Sequence, residues 1–262
     1  MTAAATDWSP ERYDRFADLR LRPARDLVAQ IEALPQGDVI DLGCGNGTVA
    51  ETLVAGFPGR RLIGVDASPA MLAKARDTGR YVDLIEADIA TWSPERPPAL
   101  IFSNAVLHWL RDHADLLPRL AGFLSPGGTL AVQMPRQTAA PSHRFLRDIA
   151  AALYPDRFDF AHWVPPVQPA EGYWRMLAPL GEVTAWETEY VQRLDPASDG
   201  HPVRRFTEAT AMRPFMDKLT PTETAAFTAA YEEALRVAYP LQPDGAALFP
   251  FRRCFFTLRV PG

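Results

Sequence analysis

The sequence predicts an α/β fold: a mostly parallel sheet with helices on both faces. Three observations predict it. First, the apolar run Val39-Ile40 leads into Asp41-Leu42-Gly43-Cys44-Gly45-Asn46-Gly47, and a helix-like segment follows from Thr48 to Gly56. Strand, glycine-rich turn and helix in that order give such a loop its meaning. Glycines let the chain turn sharply and let a ligand approach the backbone, and the helix start points free N–H groups at it. Second, Arg61-Leu62-Ile63-Gly64-Val65-Asp66 reads as a strand ending in an acid 25 positions after Asp41. A carboxylate there can accept from both hydroxyls of a ribose. Third, strand-like and helix-like segments go on alternating as far as Met134, which argues for a parallel sheet.

Taken in order, Arg22-Pro23 opens a helix with Leu27, Val28, Ile31 and Leu34 on one face, proline suiting the first turn. Gly37 to Leu42 is the first strand. Ser68-Pro69 is an N-cap with proline after it, and Met71, Leu72 and Ala75 face inward. Tyr81 to Ala87 and Pro98 to Ser103 are the third and fourth strands. Val106 to Phe123 is helical with a break near Asp112, and Ser125-Pro126-Gly127-Gly128 turns into the fifth strand, Thr129 to Met134. Residues 153–170 combine four prolines with Tyr154, Phe158, Phe160 and Trp163. That is too proline-rich for a sheet and too aromatic for a disordered linker, so an ordered loop over the site is expected. Gly181 to Gln192 is a strand. Thr220-Pro221-Thr222-Glu223 is a capping box starting a helix to Ala238, and Phe249 to Val260 is the last strand.

Composition narrows the function. At 262 residues, 47% hydrophobic and 23% charged, the chain fits one large globular domain or one domain with a smaller cap, with no apolar run near the ~20 residues of a membrane span. A net charge of -5 argues against a nucleic-acid partner. Two cysteines, Cys44 and Cys254, make no disulfide framework and suit the cytoplasm. All 27 cations except Lys74 and Lys218 are arginines; a GC-rich genome accounts for the count, and at a few positions arginine forks suit carboxylates. The five histidines are scattered without metal-site spacing, so no metal is expected.

The loop Asp41 to Gly47, the run Gly64-Val65-Asp66-Ala67-Ser68-Pro69-Ala70-Met71-Leu72 and the pair Ala87-Asp88 together resemble the class I S-adenosylmethionine-dependent methyltransferases. The resemblance implies a Rossmann-like, mostly parallel seven-stranded sheet with a mainly helical substrate cap. It implies S-adenosyl-L-methionine as cofactor, S-adenosyl-L-homocysteine being the product. Gly43 and Gly45 would approach its methionine part, Asp66 the ribose hydroxyls, Ala67, Asp88 and Ile89 the adenine, and Asn104 the methionine carboxyl end and the methyl group, with Asp41 and Cys44 also among the cofactor-binding residues.

Further motifs are similar to the trans-aconitate methyltransferase family. They are Asp7-Trp8-Ser9-Pro10, Tyr13 with Phe16, Arg22 to Leu27, Asn104-Ala105 with Leu107 and Trp109-Leu110, and Ala131 to Pro135. Pro141-Ser142-His143, Arg213-Pro214-Phe215, Tyr239-Pro240-Leu241 and Phe249 to Arg253 complete the set. This implies one methyltransferase domain over 1–262, with residues 1–34, 136–170 and 193–248 as N-terminal helices and cap segments. It implies methylation of a small polycarboxylate, with Arg213, Arg252, Arg253, Tyr239, His143, Gln133 and Trp109 as substrate-binding candidates. No catalytic base is expected, because a carboxylate is already ionised at neutral pH. Of the adjacent pair Arg252 and Arg253, a strand points one in and one out. The sequence departs from the family at Leu19-Arg20, at Arg136-Gln137 and over 195–211. A carboxyl methyltransferase for another small acid or a malonyl thioester, and a non-catalytic cofactor-binding regulator, are the alternative readings. A monomer without nucleic-acid or membrane partners is expected.

Overall fold

The computed structural model describes residues 17–208 and 210–262, with side chains from residue 21 onward. The motif residues Trp8, Tyr13 and Phe16 and the side chains of Leu19 and Arg20 lie outside the described part. Among the described residues no helix is long and apolar enough to cross a membrane.

Seven strands form one sheet: β1 (Val39–Leu42), β2 (Leu62–Asp66), β3 (Asp83–Glu86), β4 (Leu100–Asn104), β5 (Thr129–Pro135), β6 (Glu182–Leu194) and β7 (Ala247–Arg259). Their spatial order is β3-β2-β1-β4-β5-β7-β6. The first five run parallel, and β7 enters antiparallel to β5. This is the sheet that the resemblance implies. Reversal of strand order beside β1 puts the loops after β1, β2 and β4 at one edge, where ligands bind in such folds.

The helices are α1 (Ala17–Val28), α2 (Ala50–Gly56), α3 (Pro69–Asp77), α4 (His113–Ala121), α5 (Pro141–Leu153), α6 (Ala170–Leu177), α7 (Pro202–Glu208), α8 (Arg213–Met216) and α9 (Pro221–Ala238). The expected caps are present. Ser68 Oγ accepts from Met71 N–H at the start of α3, and Thr220 with Glu223 forms the capping box of α9. The break near Asp112 is a one-turn 3-10 helix, Leu107–Trp109, then Asp112 at φ 57° before α4. The proline-rich stretch 154–169 carries no regular element.

Three expectations need correcting. Helix α1 does not begin at Pro23 but contains it, and it stops at Val28, short of Ile31 and Leu34. The Arg60 guanidinium donates to the carbonyls of Leu34, Pro35 and Gly37, holding that segment out of a helix. Strand β3 begins at Asp83, so Tyr81 is freed from the ladder. Helices α5 and α6 have no counterpart among the expected elements.

The chain divides into two compact units. One comprises residues 1–135, 166–188 and 253–262, the other 136–165 and 189–252. In the first, side-chain alternation along the paired strands sorts the sheet into two faces. Ile40, Leu42, Val65, Ile101, Leu130, Val132, Met134, Cys254, Phe256 and Leu258 fill one face, packed with Leu116, Leu117 and Leu120 of α4 and Tyr173 and Leu177 of α6. The other face carries Asp41, Phe102, Asn104, Ala131, Gln133, Phe255 and Arg253, as the register of β1, β4, β5 and β7 requires. In the second unit α5, α7 and α9 pack together. Tyr231 donates its hydroxyl to the Ser142 carbonyl at 2.7 Å, and Tyr239 Oη accepts from the Ser142 N–H at 3.1 Å.

Candidate active site

The glycine-rich loop is tied down from two sides. The N–H groups of Gly43 and Cys44 both donate to the Val65 carbonyl, at 2.7 and 3.0 Å. The Gly45 N–H donates to Asp66 Oδ2 at 2.9 Å, while Ser68 N–H donates to Asp66 Oδ1 at 2.9 Å. Each Asp66 oxygen thus keeps a lone pair for a further donor, the capacity two ribose hydroxyls require. Gly43 sits at φ +79°, and a Cβ there would lie 2.4 Å from Val106 Cγ2. The close approach of loop and post-β4 turn demands glycine.

Asp41 is buried beneath this loop, 2% exposed, and its Oδ2 accepts the Tyr81 hydroxyl at 2.7 Å. Burial pushes its carboxyl up to about 7; the Tyr81 bond works the other way and the Asp66 charge adds to the rise. Burial likewise pushes the Cys44 thiol up, helped by Asp41 and Asp66. Cys44 therefore stays a neutral packing residue rather than a nucleophile.

Raised carboxyl pKa has a stability consequence. The folded chain holds the Asp41 proton up to about pH 7, whereas the unfolded chain releases it near 3.8. Stability from this group is complete below pH 3.8 and is lost as pH rises through 7. Asp41→Asn, which keeps an acceptor for Tyr81, should therefore melt several degrees above the parent at pH 8 in the absence of ligand. The benefit is on the order of 4 kcal/mol at most, at about 1.4 kcal/mol per pKa unit over the rise from 3.8 to about 7. Thermal melts from pH 4 to 8 in which the two proteins keep a constant difference would contradict this.

Beyond β4 the turn is strained and well held. Ala105 takes φ 58° and donates its N–H to the Gln133 carbonyl at 2.9 Å. A left-handed non-glycine residue costs ~1–2 kcal/mol, and such strain clusters at functional sites. His113, buried, joins this turn to the core: Nε2 lies 2.9 Å from the Leu107 carbonyl and Nδ1 2.8 Å from Tyr173 Oη.

Asn104 and Gln133 are register partners on β4 and β5, on the face that carries Asp41. Gln133 Oε1 accepts from Arg253 Nη1 at 3.2 Å, with Gln133 fully buried and Arg253 4% exposed. Gln133 Nε2 and Asn104 Oδ1 are buried with no hydrogen-bond partner among the described residues. Buried amide atoms rarely go unsatisfied, so this pair fits a polar ligand. A row thus runs along one sheet face from the acids Asp66 and Asp41, through two amides, to a buried guanidinium.

The remaining candidates fall as follows. Asp88 is exposed and its Oδ1 accepts from Ala90 N–H at 2.9 Å; Ile89 is buried, and Ala67 is exposed beside Asp66. Trp109 is 55% exposed, its ring 4.6 Å from that of His108. In the second unit, Arg252 is half-exposed and pairs with Glu189 at 3.5 Å. Arg213 is partly buried at the start of α8, and Tyr239 is buried on Ser142. His143 Nδ1 lies 3.0 Å from Ser142 Oγ, and burial with the Arg147 charge pushes its imidazole down to about 4. Gln137, one of the departures from the family, is buried and grips β7: Nε2 donates to the Pro250 carbonyl at 2.7 Å and Oε1 accepts the Arg252 N–H at 2.9 Å. Among the described residues no three His, Cys, Asp or Glu gather as a metal site. Sequence reasoning missed Tyr81; the available signal was a tyrosine just ahead of a strand, whose hydroxyl needs a partner when it packs inward.

A methyltransferase-domain family model matches residues 39–128, which span the glycine loop through the turn before β5. Over nearly the whole chain, the sequence is 44% identical to the trans-aconitate 2-methyltransferase of Methylobacterium radiotolerans, covering 97% of this chain and 98% of the relative. The chain belongs to the trans-aconitate 2-methyltransferase family. The Azoarcus member is 41% identical, with 95% of this chain and 97% of the relative covered. Membership makes it a class I S-adenosylmethionine-dependent methyltransferase and does not favour the malonyl-thioester or non-catalytic readings. The fold is shared more widely: the YcgJ protein of Bacillus subtilis has a TM-score of 0.57 at 14% identity, covering 92% of this chain and 99% of that one.

Proposed function

We propose that this chain methylates a carboxylate oxygen of trans-aconitate with S-adenosylmethionine, giving a monomethyl ester. One observation carries the reading beyond the family: the row of Asp41, Asn104, Gln133 and Arg253 on a single sheet face. Its strands stand about 4.8 Å apart. Asp41 is level with Thr257 on β7, and Arg253 lies four residues farther along; the two residues are therefore offset by roughly 14 Å across the strands and roughly 13 Å along them, with neutral amides between. The acid end suits a cofactor's ammonium, and the guanidinium end suits a polycarboxylate.

The glycine cradle and the unsatisfied Asn104 oxygen fit the cofactor. Gly43, Cys44 and Gly45 would border its methionine part, Asp41 would take the ammonium, and Asp66 the ribose hydroxyls. Ala67, Asp88 and Ile89 would surround the adenine, and Asn104 would face the methionine end. When bound, the cofactor supplies an electrophilic methyl group on a sulfonium. The chain's work is then to orient. Arg253 and the Gln133 amide hold the acid so that one carboxylate oxygen points along the row, and orientation of this kind supplies the rate. No residue needs to remove a proton, because the attacking oxygen is already anionic. His143, held neutral, contributes hydrogen bonding rather than charge.

In the second unit, Arg213, Tyr239 and His143 remain the substitutions to examine for choice of acid, while Arg252, half-exposed and paired with Glu189, serves as the contrast. Two buried free cysteines support a cytoplasmic setting, the net charge of -5 argues against a nucleic-acid partner, and a monomer is the expected state.

The test is product mass spectrometry with trans-aconitate, cis-aconitate, citrate, isocitrate and a malonyl thioester. The expected result is a monomethyl ester formed fastest from trans-aconitate. At saturating cofactor, kcat should stay flat from pH 8 down to the substrate's own carboxyl range, and His108→Ala or His143→Ala should slow turnover without abolishing it. A kcat limb with a histidine midpoint, removed by one of those substitutions, would show that a base is required.

A further inference from the structure

The Tyr81 hydroxyl bonds to the most deeply buried acid of the site, and its ring fills the space left by two glycines. Tyr81 Cε2 lies 3.1 Å from where a Cβ on Gly47 would stand, and Cδ1 lies 3.0 Å from that of Gly64. The ring is therefore wedged between the glycine loop and β2, and the hydroxyl reaches Asp41 Oδ2 at 2.7 Å. The bond has ordinary O–H···O length and becomes charge-assisted when Asp41 ionises. The other titratable groups facing Asp41 are Asp66, whose charge opposes ionisation of Asp41, and the Cys44 thiol, which stays neutral.

We propose that Tyr81 is a positioning residue for the cofactor: its hydroxyl fixes the Asp41 carboxylate under the glycine loop and sets the pH range in which that carboxylate receives the cofactor's ammonium. The inference rests on the reading that Asp41 is the ammonium's partner. Its chemistry is simple. Without a cation nearby, burial favours the neutral acid. When the ammonium arrives, Asp41–COOH ionises, the proton leaves to solvent, and the carboxylate pairs with the cation while keeping its bond from Tyr81. A hydroxyl donor favours the ionised form, so removing it shifts ionisation to higher pH and weakens binding most on the acid side.

Calorimetric titration with S-adenosylhomocysteine, which retains the ammonium, tests this on the full chain. Tyr81→Phe keeps the ring wedge and removes the hydroxyl alone. With the midpoint moved up by roughly one unit, affinity at pH 7 should fall about fivefold and recover most of the loss by pH 8.5. Unchanged affinity and midpoint would overturn the inference. So would weakening by the same factor at every pH, which marks a packing role only. Asp41→Asn in parallel separates the two levels. If it binds like the parent at pH 7, the Asp41 reading falls and the inference with it. If it binds weakly while Tyr81→Phe is normal, only the role of Tyr81 falls. The parent protein gives a check that needs no variant. Titrated at pH 7 in two buffers of different ionisation enthalpy, it should release roughly half a proton per ligand, as an acid with its midpoint at about 7 requires. No release would also overturn the proposal.

Discussion

Arg253→Ala should lower kcat/KM for trans-aconitate by ~2–5 kcal/mol, between about thirtyfold and several thousandfold, the penalty for truncating one partner of a buried charge pair. S-adenosylhomocysteine affinity should change little, because Arg253 stands at the far end of the row from Asp41 and Asp66. The size follows from position. Arg253 is 4% exposed and locked to Gln133, so its fork is pre-oriented and shielded from water. Arg253→Lys should rescue only in part, since an ammonium lacks the fork. Arg253→Met keeps the stem and separates lost charge from lost packing. Arg252→Ala is the contrast: half-exposed and paired with an equally exposed Glu189, it should leave the kinetics within about twofold. Steady-state kinetics that show Arg253→Ala also within twofold would remove Arg253 from the substrate site.

Asp66→Ala should weaken cofactor binding by about a hundredfold or more. Each charge-assisted hydrogen bond is worth ~1.5–3 kcal/mol, and two ribose hydroxyls lose their acceptor together. The structure adds a second loss. Asp66 also receives the Gly45 and Ser68 N–H groups, so the substitution releases the glycine loop and the start of α3 along with the ribose. Asp66→Asn should recover little, because its NH2 meets a backbone N–H where an acceptor is needed. Asp88→Ala, at an exposed turn, should cost less than Asp66→Ala. Isothermal titration of folded Asp66→Ala with unchanged affinity would end the ribose assignment.

These residues differ in how they could be found. Asp66 was legible because a glycine loop, a strand and an acid at fixed spacing describe a local geometry that the chain carries with it. The caps at Ser68 and Thr220 were legible for the same reason: the partners are three residues apart. Leu34, expected on helix α1, lies instead in a stretch beyond the helix whose carbonyls at Leu34, Pro35 and Gly37 are gripped by Arg60 from 23 to 26 residues away. Helices α5 and α6 were not legible because neither has a side-chain cap to announce it: α5 starts with Pro141 after Ala140, and α6 follows Pro169.

By itself, then, the sequence determined the α/β alternation, the glycine-rich loop, the acid that ends β2 and, through motifs spread along the chain, the family. All are properties of short segments read in order. Only the tertiary structure decided which of two neighbouring arginines is buried, that Tyr81 reaches Asp41 across 40 residues, and that Asp41, Asn104, Gln133 and Arg253 share one face. The physical reason is register. A one-residue slip in any strand pairing would send a side chain to the opposite face, and pairing is set by the packing of the whole sheet rather than by any one strand's residues. Burial follows from the same packing. It turns Asp41 from an ordinary acid into one that ionises near pH 7, a change that no local pattern in the chain encodes.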